Sequence, residues 1–310
     1  MAAGGSMTAR RRLGVLAALA PGPSEGLAAP VPRALSSVAT SAATSAVAGG
    51  STGGAAAEQR PRVCLVIGAG AGIGVNVARR FAKAGFVAVL CRRSGEEGLK
   101  KAVEGIEAAG GRARGMLLDA SKPGSIEGLV QRIEEEIGDL HVEVYNLGAQ
   151  IGDRPLESIE LRTFELGWRL GCEGLFRLAK AVSPSMLARG SGAILVTSAT
   201  AAVRGNAGQH SHAAAMGGRR MLCQTLNHEL GRKGVHVCQF IVDGAVNAPD
   251  TLGKLIGAEA FEKLRTDTGD GILQPEAVAE TFFHVASQHR SAWTFELDLR
   301  PYSTQPWWNS

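Results

Sequence analysis

A glycine-rich segment, residues 68–74, follows the apolar run Val63 to Ile67 and precedes a stretch with helical spacing. Glycines between a strand and a helix let the backbone approach a pyrophosphate, whose charge then meets free N–H groups at the helix start. The segment predicts a dinucleotide-binding turn, although the same glycines would also suit a tight turn that holds no ligand. The residues assigned to this turn are Gly68, Gly70, Gly72, Ile73 and Gly74.

Two arginines, Arg92 and Arg93, end the second apolar run of this region. NAD-specific folds place a carboxylate there, which accepts hydrogen bonds from the adenosine ribose, and this turn offers none. A guanidinium can instead pair with the 2′-phosphate of NADP. We therefore expect NADP(H) as the cofactor, with two solvated surface arginines as the alternative.

From Arg62 onward, short apolar runs rich in β-branched residues alternate with amphipathic stretches of helical length. This alternation is typical of βαβ units, and it predicts a single-domain α/β fold over residues 61–310, with a Rossmann-like, doubly wound parallel sheet in three α/β/α layers. The predicted strands are Val63–Ile67, Val87–Cys91, Arg114–Leu118, Val142–Asn146, Ala193–Thr197, His236–Val242 and Trp293–Leu299. The predicted helices are Val75–Ala84, Gly95–Ala109, Ser125–Ile137, Phe164–Leu187, Ala207–Leu230 and Pro275–Ser287.

The spacing of Gly68, Gly72 and Gly74 resembles the GxxxGxG turn of the short-chain dehydrogenase/reductase family. Asp119 follows the third strand, where that family holds the adenine ring, and the sequence Tyr-Asn-Leu-Gly at 145–148 falls on its Asn-Asn-Ala-Gly motif. The resemblance covers roughly residues 62 to 300. It adds Asp119, Ala120, Asn146 and Gly148 to the expected cofactor-binding residues.

The same resemblance fails at the four positions that the family uses for catalysis. Its asparagine, serine, tyrosine and lysine correspond to Gly171, Ala199, His212 and Met216, and a threonine that touches the nicotinamide carboxamide corresponds to Ala248. A thioether carries no charge with which to activate a neighbouring acid, and glycine and alanine offer no polar side chain. The alignment thus predicts a member without its catalytic residues.

Three functions remain open after this alignment. The first is a non-catalytic structural or accessory subunit, which pairs through Phe164–Leu187 and Ala207–Leu230 as relatives do, as a homo-oligomer or within a larger organellar complex. The second is an NADP-dependent oxidoreductase of a small carbonyl or alcohol, with His212 as the proton donor and Ser198 or Thr200 in place of the serine. The third is a nucleotide sensor whose occupancy controls the binding of a partner.

Residues 1–60 are rich in Ala, Gly, Ser and Pro, and they carry four arginines before residue 34 against a single early acid. This composition predicts a disordered organelle-targeting segment, with mitochondrial import favoured over plastid import and a merely low-complexity tail left open. No apolar run reaches the roughly 18 residues that a membrane span needs. The net charge of +4 gives no case for nucleic-acid binding, and five scattered cysteines predict reduced thiols rather than disulfides or a metal site.

Overall fold

A computed structural model describes residues 59–148, 154–267 and 271–309. Its centre is a seven-stranded sheet in the order β3-β2-β1-β4-β5-β6-β7, and every pair of neighbouring strands is parallel. The strands are β1 (Arg62–Ile67), β2 (Val87–Arg92), β3 (Arg112–Leu117), β4 (Asp139–Tyr145), β5 (Gly192–Ala199), β6 (Val235–Val242) and β7 (Glu296–Leu299).

Helices connect successive strands and cover both faces of the sheet. They are α1 (Ile73–Lys83), α2 (Glu96–Ala108), α3 (Ser125–Glu136), α4 (Leu161–Trp168), α5 (Gly174–Arg189), α6 (His210–Leu230), α7 (Lys254–Ile256), α8 (Ala258–Asp267) and α9 (Pro275–Ala286). One apolar cluster lies between the sheet and α3, α5 and α6, and another lies between the sheet and α1, α2 and α9. The predicted doubly wound α/β fold is confirmed.

The predicted helix Phe164–Leu187 is wrong as a single element. A π-helical segment, Arg169–Glu173, separates α4 from α5, and Pro184 lies inside α5 without ending it. The other predicted elements are present, with ends that shift by a few residues. The predicted targeting segment lies outside the described residues, except for Gln59 and Arg60.

Strand order reverses between β1 and β4, since β2 and β3 lie on one side of β1 and β5 to β7 lie beyond β4. In open parallel sheets, ligands bind at the carboxyl ends of the strands where the order reverses. The fold therefore predicts a ligand site at the segments that follow β1 and β4. Within the described residues, no helix is both long and apolar enough to cross a membrane.

Candidate functional site

A cavity of about 590 Å³ lies at the carboxyl ends of β4, β5 and β6. The start of α1, the connection between β5 and α6, one face of α6 and the segment after β6 form the rest of its wall. Its lining includes eight of the residues that the sequence singled out, namely Ile73, Asn146, Gly148, Ser198, Ala199, Thr200, His212 and Met216. Residues predicted for the cofactor site and residues at the predicted catalytic positions therefore line the same cavity.

The glycine turn between β1 and α1 is closely packed against the segment after β4. Gly68 has a φ of +94°, and a Cβ there would lie 2.6 Å from the carbonyl oxygen of Asn146. At Gly74, a Cβ would lie 2.4 Å from the carbonyl oxygen of Gly68. Because the obstacles are backbone atoms, only glycine fits at these two positions.

The start of α1 keeps the backbone groups that a phosphate needs. Its N-cap is Gly72, no side chain caps the N–H groups at the helix start, and the first turn contains no acidic residue. At Gly70 an added Cβ would meet only Thr251, at 3.6 Å, so the loop is open on that side. A free helix N-terminus beside an open glycine loop fits the pyrophosphate of a dinucleotide.

Asn146 connects the glycine turn to β5. Its Nδ2 donates to the carbonyl of Gly68 over 2.8 Å, and its Oδ1 accepts a hydrogen bond of 2.7 Å from Thr197 Oγ1. Its side chain is thus engaged within the protein. We assign Asn146 a positioning role as well as the predicted place in the cofactor site.

The residues predicted to hold the adenosine end lie outside the cavity, at the ends of β2 and β3. The Arg92 guanidinium lies against Gly95 and Gly98 at the start of α2, whereas Arg93 is exposed. Asp119 accepts hydrogen bonds from the backbone N–H and the hydroxyl of Ser121, and these bonds lower the pKa of its carboxyl group.

Arg177 on α5 fixes this loop after β3. It donates to the carbonyls of Ala120 and Lys122 and forms a paired hydrogen bond with the carboxylate of Glu127. The sequence interpretation did not identify this residue. A lone arginine in a predicted helix gives no signal of a contact more than fifty positions away.

His212 and Ser198 bring unpartnered polar atoms to the cavity wall. His212 Nδ1 and Ser198 Oγ are buried and have no hydrogen-bond partner. Burial, and secondarily the positive charge of Arg219, lower the pKa of the His212 imidazole. The ring is therefore mainly neutral at pH 7.

Neither of the two tyrosines lies among the described residues that line the cavity, and neither does any lysine. The hydroxyl of Tyr145 donates to the carbonyl of Leu170 over 2.6 Å, and burial raises its pKa to about 12. Tyr302 is exposed. Met216 is buried against Ala201 and Ala215. A phenol next to an ammonium is thus absent from the described part of this wall.

Arg219 is a second charged residue that the sequence interpretation missed. It is 1% exposed, and its guanidinium donates to the carbonyls of Gly171 and Thr197, each at 2.5 Å, and of Leu147 at 2.8 Å. His212, Met216 and Arg219 stand four and three residues apart, so they share one face of α6. This spacing is the sequence feature from which Arg219 could have been placed beside His212 and Met216.

Gly171 and Ala248 do not line the cavity. Gly171 lies in the π-helical segment, and Ala248 is buried against the glycine turn, 2.9 Å from where a Cβ on Gly72 would stand. All five cysteines are buried and free, as predicted. No group of three or more potential metal ligands occurs within the described ranges.

The sequence also matches a known protein family. Residues 62–252 match the family described as short chain dehydrogenase. The short-chain reductase protein NovJ of Streptomyces niveus is 34% identical over 230 residues, which cover 72% of this chain and 86% of NovJ.

Two solved structures share the fold. A short-chain dehydrogenase from Rhodopseudomonas palustris has 32% sequence identity and a TM-score of 0.66, covering 78% of this chain and all of that one. The actinorhodin polyketide ketoreductase, solved with NADPH, has 27% identity and a TM-score of 0.68, covering 78% of this chain and 96% of that one.

Proposed function

Since the chain belongs to the short-chain dehydrogenase family, we propose that it keeps the family's NADP(H) site, has lost the residues that transfer the proton, and acts as a structural or accessory subunit. The observation that carries this proposal is the composition of the cavity wall. At the two positions that the sequence resemblance assigns to the family's tyrosine and lysine, His212 and Met216 line the described part of the cavity. Loss of general acid catalysis alone typically lowers a rate by about 10² to 10⁴.

Cofactor binding is supported by the glycine turn and the free start of α1. A bound nicotinamide dinucleotide would supply or accept a hydride. The turn at 68–74 would hold its pyrophosphate, and Asp119 with Ala120 would flank its adenine. Arg92 and Arg93 favour the 2′-phosphate of NADP over the ribose hydroxyl of NAD. The related ketoreductase that was solved with NADPH agrees with this choice.

Calorimetric titration of the purified chain with NADPH and NADH tests the cofactor site. We expect NADPH to bind more tightly, because only NADPH carries the phosphate that the arginines recognise. The double substitution R92Q/R93Q should weaken NADPH binding about tenfold or more and leave NADH binding nearly unchanged. Equal losses for both nucleotides would contradict this choice of cofactor.

The accessory role is supported by apolar side chains on the surface of α4, α5 and α6. Leu161, Phe164, Trp168, Phe176 and Met221 are partly or largely exposed. Exposed aromatic side chains on neighbouring helices are typical of contact surfaces between subunits. We propose a homo-oligomer or a larger complex that forms through this apolar helix surface.

We propose that the protein is located in the mitochondrion, with the plastid as the alternative. This proposal rests on the arginine-rich and acid-poor composition of residues 1–60. A fluorescent protein fused after residue 60 should enter mitochondria, and one fused to a chain without residues 1–60 should not. Native mass determination of the imported protein would then identify its assembly. A free monomer without partners would contradict the accessory role.

A second candidate is an active NADP-dependent reductase with His212 as the proton donor. The unpartnered Nδ1 of His212 and Oγ of Ser198 on the cavity wall favour it, and so do the relatives that are described as reductases. A panel of carbonyl compounds with NADPH distinguishes the two candidates. Turnover that disappears in His212→Phe would support the reductase, and absence of turnover supports the accessory subunit.

A further inference from the structure

Arg219 places a permanent positive charge inside the cavity wall. Its side chain is almost wholly buried, and its four donated hydrogen bonds all end on backbone carbonyls, those of Gly171, Thr197, Leu147 and, at 3.5 Å, Leu170. Burial lowers the pKa of the guanidinium, but an arginine stays protonated in a protein. Carbonyl dipoles satisfy the N–H groups and leave the net charge in place.

No carboxylate neutralises this charge among the described residues that line the cavity. Apart from Arg219 and the neutral His212, that lining consists of uncharged side chains. The neighbouring Arg220 differs, because its guanidinium binds both carboxylate oxygens of Glu296, at 2.7 and 2.9 Å. Arg177 is likewise paired with Glu127. Arg219 is therefore a buried cation without a local counter-charge in the described structure.

We propose that Arg219 makes this cavity discriminate between the two redox states of the cofactor, so that the chain binds NADPH more tightly than NADP⁺. The inference rests on the proposed nucleotide-binding function. The oxidised nicotinamide ring carries a positive charge, whereas the reduced ring is neutral. A fixed cation in the wall disfavours the charged ring and leaves the neutral ring unaffected.

The size of the cavity sets the size of this effect. A sphere with the cavity's volume of about 590 Å³ has a diameter of about 10 Å, which gives the scale of the separation between a ring inside it and the Arg219 charge. Two unit charges about 10 Å apart, in a medium with an effective dielectric constant of about 20, change an equilibrium constant on the order of tenfold. Because Arg219 is buried, salt screens this repulsion only weakly.

Such a preference would give the accessory protein a readable signal. Occupancy by NADPH would follow the reduced fraction of the nucleotide pool, with no hydride transferred on the protein. The cavity lies beside α6, and α6 also carries part of the apolar helix surface. The third function considered from the sequence is a nucleotide sensor. This preference specifies what such a sensor would detect, namely the reduced fraction of the nucleotide pool.

The test is calorimetric titration of the full chain with NADPH and, separately, with NADP⁺ at pH 8, where His212 is neutral. We expect the dissociation constant for NADP⁺ to exceed that for NADPH by about tenfold. Arg219→Gln removes the charge and keeps an amide that can donate to the carbonyls, so the ratio should fall toward one. Arg219→Lys keeps the charge and should keep the ratio.

The matched control is Arg220→Gln, which removes the same charge from the next residue of α6, where Glu296 already balances it. Its ratio should equal that of the wild type. A wild-type ratio below about threefold overturns the inference even if Arg219→Gln fails to fold, and so does a folded Arg219→Gln that keeps the full ratio. If neither nucleotide binds the wild type, the proposed function itself fails.

Discussion

The protonation of His212 depends on its burial and on the positive charge of Arg219. Both lower the pKa of the imidazole, so the proton-donating imidazolium becomes the main form only below the ordinary value of about 6.5. Any carbonyl reduction that uses this residue should therefore increase as the pH falls below about 6.5. A rate measurement with NADPH from pH 5 to 8, corrected for the spontaneous decay of NADPH in acid, checks this expectation.

The variant for this experiment is His212→Phe, which keeps a ring of similar shape and has no titrating group. A pH-dependent rate that vanishes in His212→Phe would favour the reductase over the accessory subunit. A rate that is the same in both proteins would exclude His212 as the acid.

The second prediction at the residue scale concerns Gly74. Its substitution by alanine would bring a Cβ within 2.4 Å of the Gly68 carbonyl oxygen and 2.8 Å of the Ala69 Cα, both in the backbone. We expect Gly74→Ala to lower the free energy of unfolding by about 1 to 3 kcal/mol and to abolish detectable NADPH binding. Thermal unfolding and calorimetry measure the two effects.

Gly128→Ala is the control, because a Cβ at this helical position meets nothing within 4 Å. It should raise the stability by up to about 1 kcal/mol through helix propensity and leave NADPH binding unchanged. If Gly74→Ala behaved like Gly128→Ala, the closely packed glycine turn would not be required.

Several site residues could be predicted from the sequence because they lie at fixed distances from recognisable strand ends. Asn146 follows β4, and His212 and Met216 lie one helical turn apart on one face of α6. Arg219 could not be predicted in the same way. Its role depends on carbonyls from three distant segments, and the spacing of residues along α6 does not reveal these partners.

At the scale of elements, the break between α4 and α5 has a physical cause that hydrophobic periodicity does not show. The π-helical segment shifts the pattern of backbone hydrogen bonds along the helix. The carbonyl of Leu170 accepts hydrogen bonds from Tyr145 and Arg219, and the carbonyl of Gly171 accepts one from Arg219. Insertions of this kind are frequent at functional sites. The apolar pattern continues through the break, so the sequence predicted one helix.

β4 carries an unusual carboxyl group in the core of the sheet. Glu143 is fully buried, and neither of its side-chain oxygens has a hydrogen-bond partner. Burial, together with the negative charge of Glu134, raises its pKa well above the ordinary value, and the charge of Arg189 opposes this shift only in part. Burial therefore favours the protonated, uncharged form of this carboxyl group in the folded state.

The third prediction follows from this burial. Glu143→Leu should raise the free energy of unfolding by about 1 to 3 kcal/mol, because it removes an unsatisfied polar group. Since the folded pKa is raised, the wild type loses stability relative to Glu143→Leu as the pH rises above about 4.5. Chemical denaturation of both proteins from pH 4.5 to 8 measures the difference.

Glu143→Gln is the matched control. It keeps polar atoms in the core but cannot ionise, so it should retain most of the burial cost and lose the pH-dependent part. Comparing the three proteins at each pH cancels the titration of other groups, such as His212 and His236. A constant difference between wild type and Glu143→Gln across this range would contradict a raised pKa.

At the scale of the whole molecule, the alternation of apolar runs and amphipathic stretches was sufficient to predict the doubly wound sheet. Every predicted strand is found, since buried parallel strands are continuously hydrophobic. The proposed assembly could not be predicted in this way, because an apolar residue on a helix has the same pattern whether it faces the core or a second subunit.

The fourth prediction concerns that assembly. Phe176 is half exposed on α5, within the apolar helix surface. Phe176→Glu should shift the native mass toward a smaller species without altering thermal stability by more than about 0.5 kcal/mol, because it places a charge in the proposed contact. Leu117→Glu, at an equally exposed apolar residue on the edge strand β3, should leave the mass unchanged. Equal effects of the two substitutions would contradict the proposal that the apolar helix surface forms the contact between subunits.

We propose that the chain holds NADPH without transferring its hydride. The most direct test is the fluorescence of NADPH mixed with an excess of the full chain, recorded before and after the addition of a panel of carbonyl compounds. We expect the emission to change on binding and then to remain constant, with oxidation no faster than without protein. Binding followed by carbonyl-dependent loss of the signal would show that the chain transfers the hydride.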